Sequence, residues 1–289
     1  GIENEKKHIT LNLTQGHQTI NLLSGEYNRL MITVLSEENI LNSDHATIYG
    51  DVSTVFNQSP AIYVPYGSIN ISGNLTIDEH DYGIILGYTN ATSTNTSAIK
   101  LTTNSTLNIL NCKTVNGISS YDGGVVAAGT DYFSYVDTQG DGTRGSGITS
   151  KGQGTVTLNV ETNSSMNVTN CSGSGMFFIN SSVKLELNEA TIHLDSNTQG
   201  ICMNTDFASD FTANLYNSNL TCDNNKSNGI TGQNRPYLFN LSDQSTLSAS
   251  YNSGIGINSF YIIVDNSTVT VNNNKSHGAT NISMTAISS

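Results

Sequence analysis

The stretch DNNKSNGI, Asp223–Ile230, returns 49 residues later as NNNKSHGA, Asn272–Ala279. A whole turn repeated at such a distance restricts the fold more than any local propensity does. Dividing the chain after each turn glycine gives the same unit repeatedly. These glycines are Gly83, Gly117, Gly175, Gly200, Gly229, Gly254 and Gly278, each followed by Ile, Met or Ala. The segments between them run Ile84–Gly117 (34 residues), Ile118–Gly175 (58), Met176–Gly200 (25), Ile201–Gly229 (29), Ile230–Gly254 (25) and Ile255–Gly278 (24). A basal unit of about 25 residues with occasional insertions accounts for them.

Within each unit a short alternating strand meets a polar corner and then a second alternating strand, as in AIKLTTNSTLNIL, TVTLNVETNSSMNV, VKLELNEATIHL and YIIVDNSTVTV. The second strand sets apolar pairs at i and i+2: Leu107/Ile109, Met166/Val168, Ile192/Leu194, Leu220/Cys222, Leu247/Ala249 and Val269/Val271. Period two puts each pair on one face of a strand. Asn and Asp tolerate the left-handed backbone a corner needs, and the turn glycine is expected to supply positive φ at the next one. The run after each glycine makes a third strand. One such coil cannot bury its inner face, but coils stacked at ~4.8 Å pair as parallel strands around a continuous core. The predicted fold is all-β, a right-handed parallel β-helix (β-solenoid) with lateral loop insertions. A β-sandwich would need NG or DG hairpin turns between its strand pairs, and these are lacking. The expected organisation is a single domain over 1–289, with 1–66 as amino-terminal cap and first coils and 67–289 as regular coils carrying a large insertion at 120–154. ATNISMTAISS near the end reads as a coil begun and not finished, and Gly1 as a cloning remnant.

Composition narrows the partners. Lys and Arg together number 11 against 23 Asp and Glu, a formal charge of −12. Nucleic acid and anionic membrane surfaces both require clustered cations, which this chain does not provide. No apolar run approaches the length of a membrane span. The four cysteines, Cys112, Cys171, Cys202 and Cys222, form no CxxC and lie at no metal spacing, so they read first as core filler, with a disulfide left open. Asn-x-Ser/Thr matches such as Asn104-Ser105-Thr106 and Asn266-Ser267-Thr268 read as by-products of the corner. The six histidines, His8, His17, His45, His80, His193 and His277, are expected to titrate in mild acid, where carboxylates also begin to neutralise and anionic glycans approach more easily.

Function is expected where the chain departs from the regular coil. Extra residues at Gly87–Ser97, Ser120–Gly154, Asn204–Phe211 and Gly232–Pro236 are expected to share one edge of the rod. The largest contains YDGGVVAAGTDYFSYVDTQGDGTRGSG and brings together Tyr121, Asp131, Tyr132, Tyr135, Asp137 and Arg144. Aromatic rings stack on sugar C–H faces while acids, amides and Arg fix the hydroxyls, so these residues, with Arg235, are the predicted glycan-binding set. DTQGDG lacks the spacing and closing Glu of a calcium loop, and no metal site or cofactor is expected.

Lyase or hydrolase chemistry would need a base beside a calcium-binding acid cluster, or paired carboxylates. NTD at Asn204–Asp206 resembles the first polygalacturonase motif, but no Asp-Asp, Gly-His-Gly or Arg-x-Lys follows it. The candidate acids of that reading are Asp206 and Asp210, and its bases Lys100, Lys151, Lys184, Arg144 and Arg235. A flat threonine array of the ice-binding kind is set aside, because Thr155–Thr157 and Thr268–Thr270 are separated by coils that carry Lys184-Leu185-Glu186 and Asn219-Leu220-Thr221.

NSTLNIL, SSMNVTN and NSTVTVNNN, with the Asn/Ser/Thr-rich corners, the scarcity of Trp and Pro and the acid charge, resemble pectate-lyase-like β-solenoid adhesive domains of Gram-positive surface proteins. The binding region of serine-rich repeat adhesins from gut commensals is an example. The resemblance is architectural, covers about Gly67 to Ser289, and extends to surface proteins of anaerobic archaea. It implies an exported, cell-wall-presented binding region, a monomer that holds mucin or pectin-like glycans without turning them over. The alternative is a secreted polysaccharide lyase or hydrolase of the same fold, and a solenoid that only extends another domain outward is a third reading.

Overall fold

The computed structural model describes residues 9–28, 30–50, 60–87, 95–113, 145–152, 154–204, 209–233 and 237–287. Among these residues there is no helix, and every strand pairing is parallel. Ten strands form one sheet and seventeen the other. The larger sheet consists of two ladders side by side, joined where Asn39–Tyr49 and Gly67–Asp78 run through both. The chain visits the three ladders in fixed rotation, so one strand from each makes a rung. One such rung is Ser174–Ile179, Ser182–Asn188 and Thr191–His193; the next is Gln199–Asn204, Phe211–Tyr216 and Asn219–Thr221.

Stacking in register places each side chain over its equivalent. On the first ladder Ile32, Ile62, Ile84, Ile148, Met176, Ile201, Ile230 and Ile257 form one unbroken column, all fully buried. The third ladder aligns Leu75, Leu107, Met166, Ile192, Leu220, Leu247 and Val269 in the same way. Five of the six apolar pairs expected from sequence are buried, and the last, Val269/Val271, packs half-exposed against the core. Each buried Ile or Leu contributes about 1.5–3 kcal/mol. Phe178, Phe211, Tyr237, Phe239 and Phe260 gather across neighbouring rungs with ring centroids 5.0–6.5 Å apart, filling the core with tilted and edge-on contacts.

The glycine column differs from expectation in membership and in cause. Its described members are Gly83, Gly147, Gly175, Gly200, Gly229, Gly256 and Gly278; a Cβ on any of the first six would run into the carbonyl oxygen of the next. Gly256, not Gly254, precedes the core residue Ile257 that pairs with Ile230, and Gly147 stands where Gly117 was expected, Gly117 lying outside the described residues. None of the seven has positive φ. Close approach of successive rungs, rather than left-handed backbone, excludes a side chain here. The left-handed positions fall on other residues: Asn104, Asn163, Glu189, Asn217 and Asn266 turn the chain between the second and third ladders, and Asn111, Asn170, Ser196, Asn224 and Asn273 turn it after the third. Asn supplies most of them, as expected, because its short amide lowers the penalty a Cβ pays there.

The turn that opened the sequence argument is a buried amide ladder. In Asn224-Asn225-Lys226 only Asn225 points inward. Asn197 N donates to Asn225 Oδ1 (3.0 Å), Asn225 N and Nδ2 to Asn252 Oδ1 (2.9 and 3.0 Å), and Asn252 N and Nδ2 to Asn274 Oδ1 (2.9 and 3.0 Å). The Asn-x-Ser strings are a second ladder. Ser105 N donates to Ser164 Oγ, Ser218 N to Ser245 Oγ and Ser245 N to Ser267 Oγ, each at 3.0 Å. Asn104 and Asn266 carry the left-handed turn while the serine after each is held within the stack.

The insertions do not all connect the same pair of ladders. Residues 88–94, 205–208 and 234–236 fall between first- and second-ladder strands, whereas 114–144 connects Thr106–Leu110 on the third ladder to Ile148–Lys151 on the first. Ile148–Lys151, counted within the large insertion at 120–154, is a regular ladder strand.

Gly200→Ala would place its methyl 2.5 Å from Gly229 O and 2.6 Å from Cys222 Cβ, and we expect a loss of about 1–3 kcal/mol. Asn225→Leu strands the Asn197 N–H and should cost about 1–3 kcal/mol. Denaturant melts of both variants beside the parent check the two values.

Candidate functional site

The described ladders deviate from register at one pairing. Between Asn39–Tyr49 and Gly67–Asp78, Ser43 pairs with Gly73 and Ala46 with Leu75, so Asp44 and His45 stand opposite Asn74 alone. The extra residue makes a β-bulge, a device that bends a strand and re-aims its side chains. His45 takes φ 56°, and the side chains of His45 and Asp44 are 71% and 73% exposed. His45 Nδ1 lies 3.1 Å from Asp44 Oδ1.

A cleft of about 710 Å³ opens beside this bulge, lined by Asn21, Leu22, Leu23, Asn42, Ser43, Asp44, His45, Ser72, Gly73, Asn74, Asn104 and Thr106. Its polar wall is prearranged. Ser72 Oγ donates to Asn42 Oδ1 (2.5 Å), Asn42 Nδ2 to Asn21 Oδ1 (2.8 Å), and Ser43 Oγ to the Asn74 carbonyl (2.6 Å). Leu23 is 71% exposed and gives the cleft an apolar face. Asp44 is the one carboxylate of the lining and His45 its one imidazole. Amides and hydroxyls offering both donors and acceptors, beside an apolar patch, suit a polyhydroxylated ligand.

Asn74 and Thr106 of the lining belong to the third ladder. There Asn74, Thr106, Ser165, Thr191, Asn219, Thr246 and Thr268 form one row, and Thr76, Asn108, Asn167, His193, Thr221, Ser248 and Thr270 a second. His193 is the single titratable residue in the two rows. Neighbours within them are hydrogen-bonded, Asn167 Nδ2 to Asn108 Oδ1 at 2.9 Å and His193 Nδ1 with Thr221 Oγ1 at 2.8 Å. Thr155 and Thr157 belong to the second ladder and Thr268 and Thr270 to the third, so the two Thr-x-Thr stretches do not align.

The predicted glycan-binding residues Tyr121, Asp131, Tyr132, Tyr135, Asp137 and Arg144 fall in 114–144, and Arg235 in 234–236; all lie outside the described residues, as does Asp206. Of the residues weighed for catalysis, Lys100 pairs with Glu161 at 2.9 Å and Lys184 with Glu186 at 3.0 Å, all part-exposed. Asn214 Nδ2 donates to Glu186 Oε1 at 2.8 Å. Asp210 is exposed, and its carbonyl and N–H join the ladder through Val183 N and Ser182 Oγ. Among the described residues no group of three or more His, Cys, Asp or Glu is placed to hold a metal ion. Sequence reasoning named His45 only among the six histidines and passed over Asp44, although the break they make in the alternation of NILNSDHATIY is a readable signal.

Compared with protein-family models, with curated proteins and with solved structures, the chain gives no match in any of the three. The functional reading therefore rests on the cleft and its chemistry. Surface ion pairs contribute little, so Lys100→Ala and Lys184→Ala should each change stability by no more than about 1 kcal/mol. Thermal and denaturant melts of these variants test whether the paired lysines are anything beyond solvated surface.

Proposed function

We propose that this chain is a right-handed parallel β-helix with coils of about 25 residues, serving as the binding region of a bacterial cell-surface adhesin that holds host or dietary glycans, mucin or pectin-like polysaccharide, without turnover. The right hand follows from the general preference of parallel crossovers. The observation that carries the binding reading is the cleft at the Asp44–His45 bulge, with a prearranged amide and hydroxyl wall next to exposed Leu23. Sugars present the complementary surface, hydroxyls around the ring edge and C–H groups on its faces. A single carboxylate in the lining supports retention rather than hydrolysis, which uses two carboxyl groups across the scissile bond. The amide- and hydroxyl-rich rows of the third ladder extend the same chemistry along the axis and would accommodate a chain of sugars rather than one residue. An acidic glycan has to overcome the formal charge of −12, so bridging calcium or mild acid should favour it and salt should weaken any calcium-free repulsion.

The test is retention on immobilised mucin, polygalacturonate and a neutral polysaccharide, with and without calcium, while assaying released reducing and unsaturated ends. We expect retention with no product. The paired substitution Leu23→Ser and His45→Ala should weaken it at least about tenfold, the size expected when one apolar and one polar contact are removed, with an unchanged melting curve. Release of product would overturn the adhesin in favour of a lyase or hydrolase.

A further inference from the structure

One inward column of the stack changes composition along its length. Asn274, Asn252, Asn225 and Asn197 form the amide ladder, and below them the column continues as Cys171 and Cys112, Cys171 N donating to Asn197 Oδ1 at 2.9 Å. The register sets the two cysteines opposite one another. Leu110 pairs with Thr169 on parallel strands, and two residues further on Ser172 N donates to the Cys112 carbonyl at 2.8 Å. Both side chains are fully buried in the main core, and the Cys171 thiol donates to the Thr169 carbonyl at 3.7 Å. Equivalent residues on neighbouring parallel strands stand ~4.8 Å apart, inside the ~4.4–6.8 Å that a disulfide spans between Cα atoms. The other two cysteines have no such arrangement. Cys202 packs with Phe177 and Ile179 in a separate cluster, and Cys222 lies in the main core, over the Gly200 position.

We infer that Cys112 and Cys171 are a disulfide site, closed when the chain folds under oxidising conditions and stapling two neighbouring rungs 59 residues apart in sequence. The oxidant named is a small disulfide of the oxidised-glutathione class. One cysteine thiolate attacks it, forming a mixed disulfide and expelling one glutathione thiolate; the second cysteine thiolate attacks the protein sulfur of that mixed disulfide and expels the other. The two protein sulfurs lose two electrons, the glutathione disulfide gains them, and the two thiol protons end on two molecules of glutathione. The exchange belongs to folding because neither sulfur is accessible afterwards. The hydrogen bond to Cys171, followed by burial, also holds the Cys112 thiol well above its ordinary pKa, so the attacking thiolate is scarce in the closed core. The site is independent of any glycan-binding role.

The test refolds the full chain from denaturant in parallel, once with dithiothreitol and once with mixed reduced and oxidised glutathione, then alkylates all free thiols in denaturant and maps the peptides by mass spectrometry. We expect two of the four thiols to be protected after oxidative refolding, with one cross-linked peptide pair containing Cys112 and Cys171. The oxidised form should melt roughly 5–10 °C higher than the reduced one. Cys202→Ser should keep both the cross-link and the shift, whereas Cys112→Ser should lose both. Should Cys112→Ser fail to fold, the parent peptide map still decides. Four alkylated thiols after oxidative refolding, or a cross-link involving Cys202 or Cys222, would overturn the assignment.

Discussion

Everything in this molecule depends on rungs lying at parallel-strand distance with almost no drift in register. At ~4.8 Å each residue meets its own equivalent above and below, so the sequence is under one demand: whatever occupies a position must tolerate a neighbour of similar kind. Isoleucine on isoleucine satisfies that demand by close packing, as in the column from Ile32 to Ile257. A buried amide satisfies it because asparagine is both donor and acceptor. Serine does so with one hydroxyl accepting the N–H of the adjacent rung. Glycine does so by having no Cβ where two backbones meet. A charge repeated at every rung could not, because its equivalents would repel across a short gap in a low dielectric, and among the described acids Asp81 alone is fully buried.

How much of this was legible depended on whether the signal repeated. The apolar pairs Leu107/Ile109 to Val269/Val271 recur with period two, and the structure turns them inward. Corner asparagines were equally readable, since left-handed backbone admits few residue types. The glycine column was readable only in part. NSGIGI contains two glycines, and both matter: a Cβ on Gly254 would strike Asn228, while one on Gly256 would strike the Gly278 carbonyl. Period alone could not say which of them preceded the core residue. Nor could the string NNKS reveal that its second asparagine is buried and the first exposed, because that depends on which side of the turn the column runs.

The candidate site illustrates the opposite case. A bulge is a single event, and Asp44-His45 in NILNSDHATIY is outweighed in a repeat search by many regular units. Only the pairing of Ser43 with Gly73 and of Ala46 with Leu75 shows that two residues share one partner there. The insertions misled for a related reason. A long extra segment has no phase, so sequence pattern puts Ser120–Gly154 with the shorter insertions, whereas Ile148, inside it, pairs with Ile84 and Met176 on the first ladder.

The amide and serine ladders share a direction that has a consequence of its own. From Asn197 to Asn252 each backbone N–H donates to the asparagine Oδ1 of the next rung, and serine N–H groups donate the same way between Ser105 and Ser267, whereas Asn197 Nδ2 and Asn274 Nδ2 donate back to the Val168 and Ala249 carbonyls. The dipoles of the forward N–H···O bonds add, and each such bond polarises the next. The N–H···O run of the amide ladder thus has a head and a tail along the stack. An amide lost from the middle divides one polarised run into two weaker ones, so equal substitutions are not equal in effect: their cost rises with distance from either end of the ladder.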